Sequence, residues 1–349
     1  MTAKKMIATI VFLNFLPLQS VAQGFANLGR DASNFSQPER GHIFQFPKDH
    51  GAHPDFQIEW WYLTANLTDS NGEELGLQWT LFRSAQRPEE LEGWQSPQFW
   101  MGHAAVTTSQ RHLVSERFAR GGIGQAGVTV APFEAWIDEW YMSGDTLEQL
   151  SLRATGPDFA YTVDLSAQGP QIFHGENGYS QKSASGRASY YYSQPFYDVK
   201  GTVTLPDGVR EVTGTAWLDR EWASQPLAAT QVSWDWFSMV FDSGARLMGF
   251  TLHDEGGADY TQATWIDPDG STTAFPNGAF NADALEWDDV ASTKIPTSWQ
   301  VTLPAKGVDV TVEALNKNAW MTTTVPYWEG PVKITGSHGG RGYLEMTGY

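Results

Sequence analysis

The stretch Glu211-Val-Thr-Gly-Thr-Ala-Trp-Leu-Asp-Arg-Glu-Trp222 decides how the rest of the chain is read. Its first half is rich in β-branched residues and reads as a strand. Its second half, Trp217 to Trp222, crowds two carboxylates and an arginine between tryptophans. Charges in such company are costly to bury unless paired and hydrogen-bonded, so this half belongs on a wet surface or at the wall of a site. It also falls where one set of strands ends and another begins.

Working upstream, Val209 to Trp217 is preceded by Tyr190 to Thr204, with Pro206-Asp-Gly208 as the turn. Phe56 to Leu67 alternates, with Phe56, Ile58, Trp60 and Tyr62 on one face and Gln57, Glu59, Trp61 and Leu63 on the other. After the turn Asp69-Ser-Asn-Gly72 the alternation resumes through Leu75, Leu77, Trp79 and Leu81, which makes a hairpin. Met101 to Ser109 with Leu113 to Phe118, Phe133 to Met142, and Leu150 to Ala154 with Phe159 to Leu165 continue the pattern. No stretch keeps a long 3.6-residue period, so the spacing is that of an all-β sandwich or barrel built from hairpins.

Downstream, a second set of strands starts at Val232 and takes in Trp265 to Phe275, Trp299 to Leu303 and Val308 to Leu315. Here the chain repeats itself weakly. Trp61-Tyr62 followed by Trp79-Thr-Leu81 matches Trp236-Phe237 followed by Phe250-Thr-Leu252, and Glu211-Val-Thr-Gly214 matches Glu345-Met-Thr-Gly348. Matches at the start and finish of both halves predict two related β-units. The expected division is an arm over 23–45, a first unit over 46–218, a connecting segment over 219–231 and a second unit over 232–349.

Composition narrows the partners. The chain has 349 residues, 41% of them hydrophobic, with 16 Trp, 19 Phe and 12 Tyr, enough for real cores and for an aromatic-lined cavity. A formal net charge of -18 repels phosphate backbones and anionic bilayers, which excludes nucleic acid as a partner. Met-Thr-Ala-Lys-Lys, the apolar run Met6 to Leu18 and Ser20-Val-Ala22 form a secretory signal with expected cleavage after Ala22. No stretch reaches 18 apolar residues, so no membrane span is expected and the product is periplasmic or secreted. With no Cys the fold stands without disulfides or thiol chemistry.

Several motifs fail on context. Gly122-Ile-Gly-Gln-Ala-Gly127 fits a dinucleotide fingerprint by letter, but no helix follows it. Asp267-Pro-Asp-Gly270 lacks the rest of a calcium loop and reads as a turn. Neither a Gly-x-Ser-x-Gly elbow nor a His-Glu-x-x-His helix occurs. His50 and His53, the only close histidine pair, read as surface loop, so no metal or cofactor is expected. What remains are three aromatic and acidic clusters: Glu59-Trp-Trp-Tyr62, Trp217 to Trp222 with Gln225, and Tyr327-Trp-Glu329.

These clusters carry a resemblance. Gln57-Ile-Glu-Trp-Trp-Tyr62, Gln78-Trp-Thr-Leu-Phe-Arg83, Trp217-Leu-Asp-Arg-Glu-Trp222 with Ser224-Gln225, Tyr327-Trp-Glu-Gly330 and Gly342-Tyr-Leu-Glu-Met-Thr-Gly-Tyr349 resemble the AttH-like and carotenoid 1,2-hydratase family, from His53 to the end. The resemblance implies two tandem lipocalin-like β-barrels, an apolar lipid or isoprenoid ligand and, in the hydratase branch, addition of water to a double bond. Members are often labelled secreted hydrolases, and some relatives shape polyenes for cyclisation. The export signal departs from the hydratase branch, because it removes the chain from the usual site of carotenoid synthesis. AttH-like members accompany ABC-type exporters, so a non-catalytic periplasmic carrier or exporter accessory is the alternative.

Hydrating an unactivated alkene needs a carboxylic acid still protonated near neutral pH and aromatic faces for the resulting cation. Asp219 is the expected acid, provided Arg220 points away from it, with Glu59 or Glu221 activating the water. The expected ligand-binding residues are Trp60, Trp61, Tyr62, Trp79, Trp217, Trp222, Trp234, Trp236 and Tyr327.

Overall fold

The computed structural model describes residues 32–349; the export signal expected over 1–22 lies outside the described residues. The first sheet comprises β1 (Ile58–Asp69), β2 (Glu74–Ala85), β3 (Gln98–Thr108), β4 (His112–Arg120), β5 (Ala126–Val130), β6 (Phe133–Ile137), β7 (Trp140–Thr146), β8 (Gln149–Thr155), β9 (Ala160–Ala167), β10 (Ile172–Phe173), β11 (Tyr179–Gln181), β12 (Ala188–Leu205) and β13 (Gly208–Ala223). The second comprises β14 (Gln231–Phe241), β15 (Arg246–Asp254), β16 (Tyr260–Ile266), β17 (Thr272–Phe275), β18 (Asn281–Val290), β19 (Thr293–Leu303), β20 (Val308–Ala314), β21 (Trp320–Met321), β22 (Tyr327–Gly336) and β23 (Gly340–Thr347).

The strand orders are β4-β3-β2-β1-β13-β12-β9-β8-β7-β6-β5 and β17-β16-β15-β14-β23-β22-β20-β19-β18. All main pairings are antiparallel, and each sheet joins its first long strand to its last, β1 to β13 and β14 to β23. The first sheet nearly closes, since Gly102 on β3 lies against Ile137 of β6 and Trp140 of β7. These are the two lipocalin-like barrels the resemblance implies, the second a half-barrel.

Alternation decides the packing. On β1, Trp61 and Leu63 point into the first barrel, where they meet Trp79, Trp140 and Leu152 in a filled core. Trp60 and Tyr62 point the other way, into an apolar layer shared with Phe82, Tyr191, Trp217, Trp236, Phe250 and Tyr327 from both barrels. A third core, with Phe237, Trp265, Trp299 and Trp328, fills the second barrel. Small barrels pack their interiors with side chains, so the layer between the barrels is where space for a ligand remains.

Two expectations are corrected. The boundary at 218/219 cuts a continuous strand, because β13 runs to Ala223 and the link to β14 is 224–230. The strand survives its charges because each finds a partner on its own face, as described below. The repeat is also displaced by one residue at its start. Trp60 stands opposite Glu221 and Phe82 in the register, as Trp236 stands opposite Glu345 and Phe250. Trp60, not Trp61, is therefore the counterpart of Trp236, and Glu221, not Glu211, that of Glu345. Adjacent tryptophans make both alignments equal in letters, whereas a one-residue slip turns every side chain to the opposite face.

Candidate active site

Strand β13 presents Trp217, Asp219 and Glu221 to the layer between the barrels and Leu218, Arg220 and Trp222 to the other side, the consequence of a two-residue period. Around Asp219 and Glu221 lies a cavity of about 90 Å³ whose walls include Trp60, Tyr62 and Tyr191 from the first barrel. Trp234, Trp236, Phe250 and Glu345 close it from the second, and Lys182 enters from the segment before β12.

Asp219 accepts hydrogen bonds from Ser193 Oγ, from Trp217 Nε1 at 2.7 Å and from Tyr191. Behind Ser193 stands buried His174, its Nε2 2.6 Å from the serine oxygen. Burial pushes the Asp219 carboxyl up to about 7, the charge of Glu221 adds to this, and the three donors oppose it. Glu221 is tied to Ser189 Oγ and to Lys182 Nζ, the latter at 3.0 Å. The Lys182 ammonium also sits 4.3 Å from the centre of the Phe250 ring. Across the cavity, Glu345 accepts from Trp234 Nε1 at 2.7 Å and is likewise pushed up to about 7, by burial first and by Glu221 second. Three carboxyls thus face one ammonium among the cavity-lining residues, and like charges this close do not all ionise at neutral pH.

Arg220 points away from Asp219, as the acid requires, but toward Glu59 and not toward Glu221. Its Nη2 lies 3.0 Å from Glu59 Oε2, and its guanidinium lies 3.9 Å from the centre of the Trp61 ring. Glu59 also pairs with Arg83, and His53 Nδ1 lies 3.0 Å from it. Burial works against its charge, but Arg83, His53 and Arg220 outweigh that and hold the Glu59 carboxylate well below the usual range. Glu59 therefore faces away from the cavity and is a buried structural anion, which corrects its expected role as a base. His53, expected on a surface loop, is half of this clamp and stacks on Trp222 at 3.9 Å between centroids. His53 is half-buried, and His50 is buried, 2.7 Å from the Tyr192 hydroxyl.

Of the expected ligand residues, Trp60, Tyr62, Trp234 and Trp236 line the cavity. Trp61 and Trp79 do not; they belong to the filled barrel core. Trp222 packs on the opposite face of β13 with Tyr190 and Tyr192, and Trp217 acts as a hydrogen-bond donor to Asp219. Tyr327 sits deeper in the same apolar layer, its hydroxyl 2.9 Å from His103 Nδ1. There a further buried acid, Glu329, accepts from Tyr62 at 2.5 Å and from Tyr327; burial and then the charge of Glu345 hold it well above the usual range.

Lys182, Tyr191, Ser193, His174 and Glu345 escape the sequence reading. Glu345 was within reach, since the repeat matched it to a glutamate ten places too early. Nothing local marks Lys182.

A protonated carboxyl beside ring faces, with a second carboxyl paired to an ammonium, can deliver a proton to an apolar π-system and accept one from water.

The AttH-like family model matches residues 37–349. A structure assigned to AttH from Nitrosomonas europaea is 31% identical, covers 90% of this chain and 100% of its own, and superposes with a TM-score of 0.81. The chain belongs to the AttH-like family. Kievitone hydratase from Nectria haematococca shares the fold at 13% identity and TM-score 0.67, over 90% of this chain and 96% of its own. CghA with Sch210972 does so at 12% and 0.51, over 84% and 88%. No curated protein sequence matches this AttH-like chain.

Proposed function

We propose that this AttH-like protein adds water to a carbon–carbon double bond of an apolar, isoprenoid-like ligand whose reactive end enters the cavity between the barrels. The observation that carries the reading is Asp219, a buried acid at about 7 among the aromatic rings of both barrels, with the neighbouring arginine turned to the opposite face of the strand. Asp219 gives its proton to one alkene carbon, and the rings of Trp60, Trp236 and Phe250 face the cation that forms. Water bonds to the other, cationic carbon, and Glu221 takes the proton that water loses, which then returns to Asp219 so that the balance is alkene plus water to alcohol. Sharing a fold with a hydratase supports this reading at the level of architecture. The cavity, at about 90 Å³, is smaller than the roughly 150 Å³ that accommodates benzene, so one end of a long ligand fits and not the whole.

The setting we propose is outside the cytoplasm, after export. A carrier serving an ABC-type exporter would use the same cavity without turnover, and one assay separates the two. Water addition to squalene-like and lycopene-like substrates is measured with wild type and with Asp219→Asn. Hydration predicts wild-type turnover and a loss of about 10²- to 10⁴-fold in the variant with ligand binding kept. Absence of turnover in wild type, with ligand still bound, selects the carrier.

A further inference from the structure

A second concavity, about 480 Å³ in volume, runs along the outer side of the hairpin formed by β3 and β4. Phe82, Phe99, Trp100, Met101, Phe118 and Val325 line it, and Phe118 and Phe99 are 54% and 39% exposed. Rings of this size left open to water are unusual unless something covers them. β4 ends its sheet in the hydrogen-bonded strand order, so no further strand of that sheet covers the groove. Phe82 belongs to the walls of both this groove and the inter-barrel cavity.

The groove has one cation, Arg120. Its guanidinium lies 5.7 Å from the centre of the Phe99 ring, and its Nε is buried without a hydrogen-bond partner among the described residues. No carboxylate pairs with it among the described residues, although Arg117 on the same strand pairs with Glu139 at 2.8 Å. In a chain with 40 acidic and 22 basic residues, an arginine left without an anion on an apolar floor is a site for one. A buried N–H without an acceptor costs free energy that a bound carboxylate recovers.

We propose that this groove binds a long-chain carboxylate amphiphile, with its head on Arg120 and its chain over Phe99, Phe118 and Met101 toward Phe82. The size agrees with a small-molecule site, and the chain leads toward the cavity in which one end of a ligand fits. The inference borrows from the proposed function only that reactive end; affinity for the groove is independent of turnover.

The test uses the full exported chain and a conjugated polyene fatty acid as a fluorescent probe, with the alcohol of the same chain length as the neutral control. The acid is expected to bind and to quench tryptophan emission. Arg120→Gln should weaken the acid about 10- to 100-fold, the worth of one charge-assisted hydrogen bond, and leave the alcohol unchanged. Phe118→Asp, at an exposed position, should weaken both. Three results overturn the proposal: no binding of the acid, an equal effect of Arg120→Gln on acid and alcohol, or binding untouched by Phe118→Asp. Binding that emerges only once residues 23–31 are removed also overturns it, and assigns the groove to this chain's own N-terminal stretch. A wild-type protein that binds the acid but never turns over an alkene substrate fails the hydratase reading and leaves this one standing.

Discussion

Asp219 accepts from Ser193, Trp217 and Tyr191 and pairs with no cation among the described residues, and this explains both its chemistry and its cost. An unfolded aspartate titrates near 3.9, whereas the folded one titrates at about 7. Between those values the native state holds a proton that the unfolded state has released. The contribution of Asp219 to stability therefore falls as pH rises from about 4 to about 7 and stays low above that. Asp219→Asn, neutral throughout, removes this loss. The variant should melt above wild type at pH 8, by on the order of a few kcal/mol at most, and show little or none of that gain at pH 4; parallel melting differences at both values would contradict the burial described. Glu59 predicts the opposite. Glu59→Gln leaves Arg83 and Arg220 buried with one acceptor fewer, which should cost about 3–5 kcal/mol in denaturant unfolding. Of the two apolar residues just before it, Trp217 and Leu218, only Trp217 shares the face of Asp219, and as a donor. That Arg220 would turn aside followed from alternation. That it would find Glu59, on the neighbouring strand, required the register.

At the scale of the strand, β1 and β13 each carry two functions on two faces. Trp61, Glu59 and Arg220 pack together on the barrel side, while Trp60, Tyr62, Asp219 and Glu221 build the cavity. The alternation in Phe56 to Leu67 was legible, and so was most of each hairpin. Which face looked into a barrel was not, because a buried tryptophan and a cavity tryptophan are the same letter in the same alternation. The 218/219 boundary failed for a related reason: a charged hexapeptide reads as the end of a strand until its partners on the neighbouring strands are known. Docking of the barrels depends on close approach at Gly76 on β2. A Cβ there would meet Pro331 Cγ at 2.6 Å and the Tyr343 hydroxyl at 2.6 Å, both from the second barrel. Gly76→Ala should accordingly cost about 1–3 kcal/mol of stability, as overpacking does, and weaken ligand binding at the cavity. A variant that melts and binds as wild type would mean that the barrels do not meet as described.

In the whole molecule, the two halves repeat one plan and face each other across the cavity: Trp60, Phe82 and Glu221 on one side, Trp236, Phe250 and Glu345 on the other. Lys182 breaks the likeness by pairing with Glu221, while burial raises Glu345 to about 7. Two barrels with filled cores thereby bring, at their junction, Asp219 and Glu221 of the first against Glu345 of the second. The repeat in the sequence announced two such units. It could not announce the junction, which is made by residues distant in the chain and by register.

The most direct test of this account is the protonation of Asp219 itself. Infrared difference spectra of wild type minus Asp219→Asn, followed from pH 4 to pH 9, isolate the carboxylic acid and carboxylate bands of that one side chain. The account predicts that the acid band persists to neutral pH, with a midpoint at about 7. A carboxylate band already complete by about pH 5, near the ordinary aspartate value, would contradict it and remove Asp219 as the proton donor.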